Sequence, residues 1–343
     1  MLLIIMDLKK LLSLGIVLFF MVSCKKDTTP MFLILQGEAQ GSTYSIKYIA
    51  NKKIVSKNQI DSILLAFDLS LSTYRKDSKI SKINSGDSTV IVDDFFIETF
   101  NASHQIYKET NGFFDPTIGV LVNAYGFGPS HQRIKINQNQ IDSLLRYVGF
   151  NKVKLNPNKT ITKLYPETYF DFNAIAQGYS VDVVSEFLKS KGIANGIVEI
   201  GGELCGFGTN TIDNKNWIVG IDDPMQKPGE RTLIAKINIK NLGMATSGNY
   251  RKVETDAISG EKYVHTINPK TGKPQRGNVL SATVLASTCK MADGYATSFM
   301  VLDINKGILF AQKHPDLYVL LVYTDENNKV QQYKSENFNK LKI

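Results

Sequence analysis

The chain has 343 residues, of which 43% are hydrophobic and 10% aromatic, enough for a full core in one large domain or two fused ones. Its formal net charge is +8, carried by dispersed single lysines without a long basic run, which argues against a nucleic-acid partner. Three cysteines and four histidines occur without C-x-x-C or H-x-x-x-H spacing, which argues against a zinc site.

The N-terminal segment has the pattern of an export signal. Lys9 and Lys10 precede an apolar run at residues 11–22, which is too short to span a bilayer and has the length of a signal peptide. Small Ser23 and then Cys24 follow, with an apolar residue three positions before the cysteine. This order resembles the bacterial lipobox, which implies cleavage before Cys24 and lipidation of its sulfur. The alternative is an ordinary secretory signal with an incidental cysteine.

These features predict the organisation of the chain: a signal peptide at residues 1–23, a tether at 24–32 and one folded domain at 33–343. Two cysteines, Cys205 and Cys289, lie in the folded domain. They either pair in an oxidising compartment or remain buried free thiols, and the sequence leaves both open.

Hydrophobic periodicity and turn residues predict the elements in chain order. Helices are expected at residues 57–70, 93–111, 138–147, 176–191, from 291 onward and at 306–313. Strands are expected at residues 41–49, 196–200, 217–221, 233–239, 263–267, 280–286 and 317–323, with one more at the C-terminus. Residues 72–78 and 245–250 are expected to be loops. Because helices and antiparallel-looking strands mix without a regular βαβ order, the predicted fold class is α+β.

Residues 171–208 form a loop, helix, strand and glycine turn in succession. Asp171 stands just before the helix, where free backbone N–H groups favour anions, although a simple N-cap aspartate is the alternative. Gly192 is expected to cap the helix in a left-handed conformation. Four apolar residues at helical spacing are expected to form one apolar stripe: Tyr179, Val183, Phe187 and Leu188.

Four motifs follow one another along the chain. They are Gly-Phe-Phe-Asp-Pro-Thr-Ile-Gly at 112–119, Asp-Phe-Asn-Ala-Ile-Ala-Gln-Gly-Tyr at 171–179, Ser-Gly at 247–248 with His-Thr-Ile-Asn-Pro-Lys-Thr-Gly at 265–272, and Ala-Asp-Gly-Tyr-Ala-Thr at 292–297. In this order and spacing they resemble the ApbE family of FAD:protein FMN transferases, from about Leu33 to the C-terminus. The resemblance implies an α+β fold related to the T-fold, with mixed or antiparallel sheets and packed helices. It also implies one FAD, Mg²⁺, and transfer of FMN to a Ser or Thr hydroxyl of a partner protein with release of AMP.

The resemblance also implies site residues. It assigns FAD contacts to Gln40, Tyr74, Phe113, Phe114, Asp115, Asp171, Gln177 and Ile267. Asp293 and Thr297, four residues apart on one helix face, can share a hard cation with oxygen ligands, and the resemblance adds the backbone carbonyl of Ala174. His265 is expected to take the proton from the attacking hydroxyl; a core or surface histidine is the alternative.

Three functions fit these residues. The first is a transferase that places FMN on an exported or membrane-bound electron-transfer protein. The second is a Mg²⁺-dependent FAD pyrophosphatase in which water replaces the protein hydroxyl, and the third is a flavin-binding lipoprotein without activity. In each case we expect a lipid-anchored protein of the bacterial cell envelope that faces the periplasm or the exterior.

Overall fold

The computed structural model describes residues 29–131, 136–227, 229–248, 253–255, 262–264, 266–275, 277–341 and 343. The strands are β1 (Met31–Ala39), β2 (Ser42–Ala50), β3 (Val153–Leu155), β4 (Ile161–Lys163), β5 (Gly196–Ile200), β6 (Glu203–Phe207), β7 (Trp217–Asp222), β8 (Leu233–Ile239), β9 (Leu242–Gly248), β10 (Val253–Thr255), β11 (Lys262–Val264), β12 (Val279–Ala286), β13 (Tyr318–Thr324) and β14 (Val330–Lys334). The α-helices are α1 (Lys57–Leu71), α2 (Lys79–Asn84), α3 (Asp94–Glu109), α4 (Gly119–Ala124), α5 (Gln138–Leu145), α6 (Asn173–Ser190), α7 (Cys289–Val301), α8 (Ile304–Lys313) and α9 (Glu336–Asn339).

The main sheet has eight strands in the order β1-β2-β5-β6-β9-β12-β13-β14, and each neighbouring pair is antiparallel. This order follows the chain, so each remaining segment leaves the sheet and returns to the adjacent position. Residues 51–195 form the longest such excursion and carry α1 to α6. Helices α6 and α7 pack on each other, α6 also packs on β5 and β6, and α7 also packs on β9 and β12. The fold is therefore α+β with an antiparallel sheet and packed helices, as predicted.

Local signals explain most helix boundaries. Ser56 and Gln59 form a capping box at the start of α1, and the Asp93 carboxylate accepts from the backbone N–H of Phe96 at the start of α3. Gly192 follows α6 with φ of +80°, the left-handed conformation that was expected of it. The helices predicted at 57–70, 138–147, 176–191 and 306–313 are all present, with ends shifted by no more than three residues.

The loop predicted at residues 245–250 is wrong, because most of it lies in the central strand β9. The small residues of β9 serve close packing: a Cβ on Gly243 would collide with the backbone of Cys289 at the start of α7. Strand β1 was not predicted, and it begins at Met31, inside the range assigned to the tether. Helices α2 and α9 were also missed, as expected for elements of six and four residues.

The apolar stripe predicted for α6 packs against the core, but it is only part of what this helix buries. Leu188 is buried, but Tyr179, Val183 and Phe187 are only partly buried. The residues that α6 buries fully lie around more than one side: Ile175, Ala176, Gly178, Ser180, Val181, Val184, Ser185 and Leu188. The reason is that the sheet and α7 cover different faces of this helix, so one amphipathic stripe does not describe it.

Cys205 and Cys289 are both buried free thiols, which decides between the two alternatives left by the sequence.

Within the described residues, no helix combines the length and the hydropathy needed to cross a bilayer.

Candidate active site

The candidate site is organised by the crossing of α6 and α7 at Gly178. A Cβ at this position would lie 2.5 Å from the carbonyl oxygen of Cys289 and 2.7 Å from Cβ of Asp293, so the helices meet at a distance that only glycine allows. The backbone N–H of Gly178 donates to Oδ2 of Asp293 over 3.0 Å. The crossing therefore holds a buried carboxylate against the first turns of α6.

We expect Gly178→Ala to destabilise the protein by about 1–3 kcal/mol, because the added methyl group forces the two helices apart. Thermal unfolding of the purified variant measures the effect. Gly307→Ala is the matched control: Gly307 is also helical, but its nearest neighbours are at 3.4 Å or more. There, alanine should be neutral or stabilising by up to about 1 kcal/mol. Equal melting temperatures for the two variants would contradict the close crossing.

The predicted cation ligands lie at this crossing. In an α-helix, the N–H of Gly178 points towards the carbonyl of Ala174 four residues earlier, and Asp293 Oδ2 approaches that same N–H. Thr297 stands one turn after Asp293 on α7, and its hydroxyl lies 3.3 Å from the hydroxyl of Ser247 on β9. The structure thus places Asp293 and Thr297 one turn apart on α7, with Asp293 against the first turns of α6, which also carry Ala174.

The surroundings of Asp293 fit a hard cation. Its side chain is buried, and burial raises the pKa of Asp293 to about 7, against the N–H of Gly178 that lowers it. Among the described residues its carboxylate accepts this single hydrogen bond, so coordination capacity remains. These residues contain no cluster of three or more His, Cys, Asp or Glu side chains that could hold a metal. Mg²⁺ commonly takes one or two carboxylates together with substrate phosphates, which a single aspartate can satisfy.

Two predicted flavin contacts are tied to α6. Ser180 donates its hydroxyl to Oε1 of Gln40 over 3.1 Å, and Gln40 occupies the β1–β2 turn with φ of +54°. Gln177 donates its amide to the carbonyl of Ile200 over 3.2 Å, and its side chain lies across Gly201, where any Cβ would collide with it. The β1–β2 turn and the β5–β6 turn are therefore both fixed beside the first two turns of α6.

Asp171 links the N-terminus of α6 to the motif at 112–119. Its carboxylate accepts from the N–H of Asn173 over 2.8 Å, and its own N–H donates to the carbonyl of Pro116 over 2.7 Å. Burial raises the pKa of the Tyr74 hydroxyl, and the charge of Asp171 raises it further. Tyr74 is 55% exposed, which leaves part of this aromatic residue accessible to a ligand.

The Asp115 carboxylate is held by hydrogen bonds within the protein. Its carboxylate is buried and accepts from the N–H and hydroxyl of Thr117 at 2.9 and 2.6 Å, and from the N–H of Phe150 at 3.2 Å. Burial raises the pKa of Asp115, whereas these hydrogen bonds lower it. Phe114 is also buried, and it would contact a Cβ placed on Gly294, next to Asp293. Both residues therefore shape the wall of the site.

Phe113 and Ile267 lie on the outer side of this motif. The Phe113 ring is half-buried, with Nζ of Lys270 at 5.9 Å and Nζ of Lys306 at 5.8 Å from its centroid. Ile267 is buried in a small cluster with Leu121, and its loop reaches Phe113 through Lys270. Lys270 therefore connects the loop of Ile267 to Phe113, and Ile267 itself packs in the cluster with Leu121.

Two predicted site residues, His265 and Cys24, lie outside the described residues. Two residues of the crossing were not predicted: Ser180, which holds Gln40, and Asp182, whose carboxylate accepts from the N–H groups of Cys289 and Lys290. No local pattern identifies these roles, because their partners lie more than 100 residues away along the chain.

The fold of this chain is shared with solved flavin transferases. A flavin transferase ApbE from Vibrio cholerae superposes with a TM-score of 0.79 at 31% identity, over 91% of this chain and 100% of that one. A flavinyl transferase ApbE from Pseudomonas stutzeri, in its apo form, superposes with a TM-score of 0.80 at 28% identity, over 91% and 97%.

The sequence matches the profile of the ApbE family over residues 40–321, and the chain belongs to this family. A curated relative from Haemophilus influenzae, named FAD:protein FMN transferase, is 35% identical over 334 residues, which are 93% of this chain and 94% of the relative. One of the same name from Vibrio cholerae is 34% identical over 337 residues, 94% and 95% of the two chains. The family predicted from the four motifs is thereby confirmed.

Proposed function

We propose that this chain transfers FMN from FAD to a Ser or Thr hydroxyl of a partner protein, in a Mg²⁺-dependent reaction that releases AMP. The enzyme class, an FAD:protein FMN transferase, follows from family membership and from relatives of that name that match almost the whole chain. The observation that carries the finer proposal is the hydrogen bond from the N–H of Gly178 to Asp293 Oδ2, which holds the buried carboxylate against the helix turn that follows Ala174.

The proposed reaction is a substitution at phosphorus. The acceptor hydroxyl oxygen attacks the FMN-side phosphorus of FAD, the bond from this phosphorus to the bridging oxygen breaks, and AMP leaves with that oxygen. His265 takes the hydroxyl proton. Mg²⁺ bound by Ala174, Asp293 and Thr297 would neutralise charge on the pyrophosphate oxygens.

The flavin is assigned to the surface between α6 and the motif at 112–119. Gln40, Gln177 and Asp171 supply polar groups beside α6, and the accessible part of Tyr74 supplies a stacking surface for the isoalloxazine. Phe113, Phe114, Asp115 and Ile267 complete the predicted set. For Asp115 we propose contact through the neighbouring backbone, since its carboxylate already accepts three hydrogen bonds.

One assay separates this function from the two alternatives. The protein is incubated with FAD, Mg²⁺ and a candidate acceptor, and the products are separated after denaturation. Flavin fluorescence on the acceptor together with free AMP is expected. Free FMN and AMP without labelled acceptor would identify a pyrophosphatase, and intact FAD would identify a binding protein.

We further propose that Cys24 is the site of lipidation and that residues 1–23 are removed, which anchors the domain in the bacterial cell envelope facing the periplasm or exterior. The support is the order of basic, apolar and small residues before Cys24.

We expect Cys24→Ser to move the protein from the membrane fraction to the soluble fraction while its transfer activity in detergent is unchanged. Fractionation followed by immunoblotting measures the first quantity, and Cys205→Ser is the control that keeps the anchor. A Cys24→Ser protein that still sediments completely with membranes would rule out this anchor.

A further inference from the structure

The helix that carries Asp293 does not cap its own N-terminus. Thr288 occupies the N-cap position of α7 with the extended conformation usual for a capping residue, at φ of −133° and ψ of 151°. Its hydroxyl nevertheless makes no capping hydrogen bond, and Oγ1 has no hydrogen-bond partner within the described part of the chain. The first N–H groups of α7 therefore depend on another source.

Asp182 of α6 is that source. Its Oδ1 accepts from the N–H of Cys289 over 2.7 Å, and its Oδ2 accepts from the N–H of Lys290 over 2.9 Å. Both oxygens of one carboxylate are thus engaged by the first turn of α7. Such charge-assisted bonds to backbone N–H groups are stronger and more directional than neutral ones.

The two carboxylates of the crossing act in opposite directions. Asp182 lies one turn after Gly178 on α6, and Asp293 lies one turn after Cys289 on α7. Asp182 accepts from the backbone of α7, while Asp293 accepts from the backbone of α6 at Gly178. This reciprocal pair fixes both the separation and the axial register of the helices, because a shift of either helix would break both contacts.

We propose that Asp182 is a positioning residue for the transfer reaction, which holds α7 in the register that turns the Asp293 carboxylate and the Ala174 carbonyl towards one cation. This inference rests on the proposed function, because it assumes that these oxygens bind Mg²⁺. Asp182 itself does not touch the cation in this arrangement, since both of its oxygens face N–H groups of α7.

The test compares the full-length protein with Asp182→Asn, in which an amide NH₂ replaces one oxygen and faces a backbone N–H. Mn²⁺ serves as the probe, and its binding in the presence of FAD is followed by electron paramagnetic resonance. We expect Asp182→Asn to weaken Mn²⁺ binding by about 10-fold or more, the usual effect of losing a group that orients a metal ligand. The Mg²⁺ concentration for half-maximal transfer should rise by the same factor, while KM for FAD at saturating Mg²⁺ changes less than about 3-fold.

Glu186→Gln is the matched control. Glu186 lies one turn further along α6, and its carboxylate pairs with Lys189 on the surface. This variant should bind Mn²⁺ as the wild type does.

A second variant separates positioning from simple capping. Adding Thr288→Asp to Asp182→Asn supplies a local N-cap carboxylate to α7 but no bond to α6. We expect the double variant to regain melting temperature without regaining Mn²⁺ affinity. Recovery of both would overturn the positioning role, because capping alone would then explain Asp182. Equal Mn²⁺ affinity of wild type and Asp182→Asn would also overturn it.

A different result would contradict the proposed Mg²⁺ dependence itself. The cation assignment is wrong if the wild type binds no Mn²⁺, or if its Mn²⁺ binding is unchanged when Asp293 is replaced. The role proposed for Asp182 is then wrong as well.

Discussion

Asp293→Asn is expected to lower the rate of FMN transfer by about 10²-fold or more. It removes the only acidic side chain among the proposed cation ligands. A metal ion can stabilise transition-state charge by several kcal/mol, and each ~1.4 kcal/mol corresponds to a factor of ten in rate. FAD binding should weaken much less, because the proposed flavin contacts lie on other elements. Single-turnover transfer at a series of Mg²⁺ concentrations measures the first effect, and a fluorescence titration with FAD measures the second.

The fold should survive this change. Burial raises the pKa of Asp293 to about 7, above the value in an unfolded chain. A carboxyl group with a raised folded pKa contributes stability at low pH that is lost as the pH rises through 7. In metal-free protein at pH 8, neutral asparagine should therefore give a melting temperature at least as high as that of the wild type. Normal transfer by Asp293→Asn at low Mg²⁺ would show that the cation site is misplaced.

His265→Ala is expected to transfer FMN about 10²–10⁴-fold more slowly than the wild type while it binds FAD and Mg²⁺ at nearly the wild-type affinity. A hydroxyl is a poor nucleophile at neutral pH, so a positioned base acts in the transition state. Loss of an interaction made only there lowers kcat and leaves ground-state binding unchanged. The wild-type rate should also fall at acidic pH, where protonation removes the imidazole as a base, and the variant should lose this dependence.

His314→Gln provides the control for this experiment. His314 stacks on Phe310 with ring centroids 4.1 Å apart, on the helix after the cation-binding one, so its loss should leave transfer and its pH profile unchanged. Transfer by His265→Ala at the wild-type rate would place the base elsewhere. Failure of His265→Ala to bind FAD would instead make His265 a binding or structural residue.

Structural features that depend only on residues adjacent in the sequence could be predicted from the sequence. The capping role of Asp93 and the left-handed Gly192 depend only on the few residues beside them, so the pattern is sufficient. The family also followed from the sequence, because its motifs keep their order and residue types even where each alone is uninformative.

Features that depend on packing between distant segments could not be predicted. Residues 245–248 have the small side chains typical of a loop, yet they form part of a central strand through pairing with β12, and Gly243 of the same strand lies against the backbone of α7. Asp182 resembles an ordinary helix-surface aspartate until Cys289, 107 positions later, is placed against it. The motif at 112–119 likewise gives no sign that the Asp115 carboxylate is occupied by Thr117 and Phe150.

The chain-ordered sheet has a consequence for how the protein folds. Strand β2 pairs with β5 through contacts such as Tyr44 with Ile200, so about 150 residues must be synthesised between the two partners. Loop-closure entropy grows with the logarithm of that length, and folding rates fall as contacts become less local. We expect the β1–β2 hairpin to form early, while its inner edge and the side chains of Tyr44, Ile46 and Tyr48, which are buried in the folded protein, stay exposed until β5 is made. We therefore expect the newly made chain to be most open to edge-to-edge association before residue 200 is available, and the pairing of β2 with β5 to be slow.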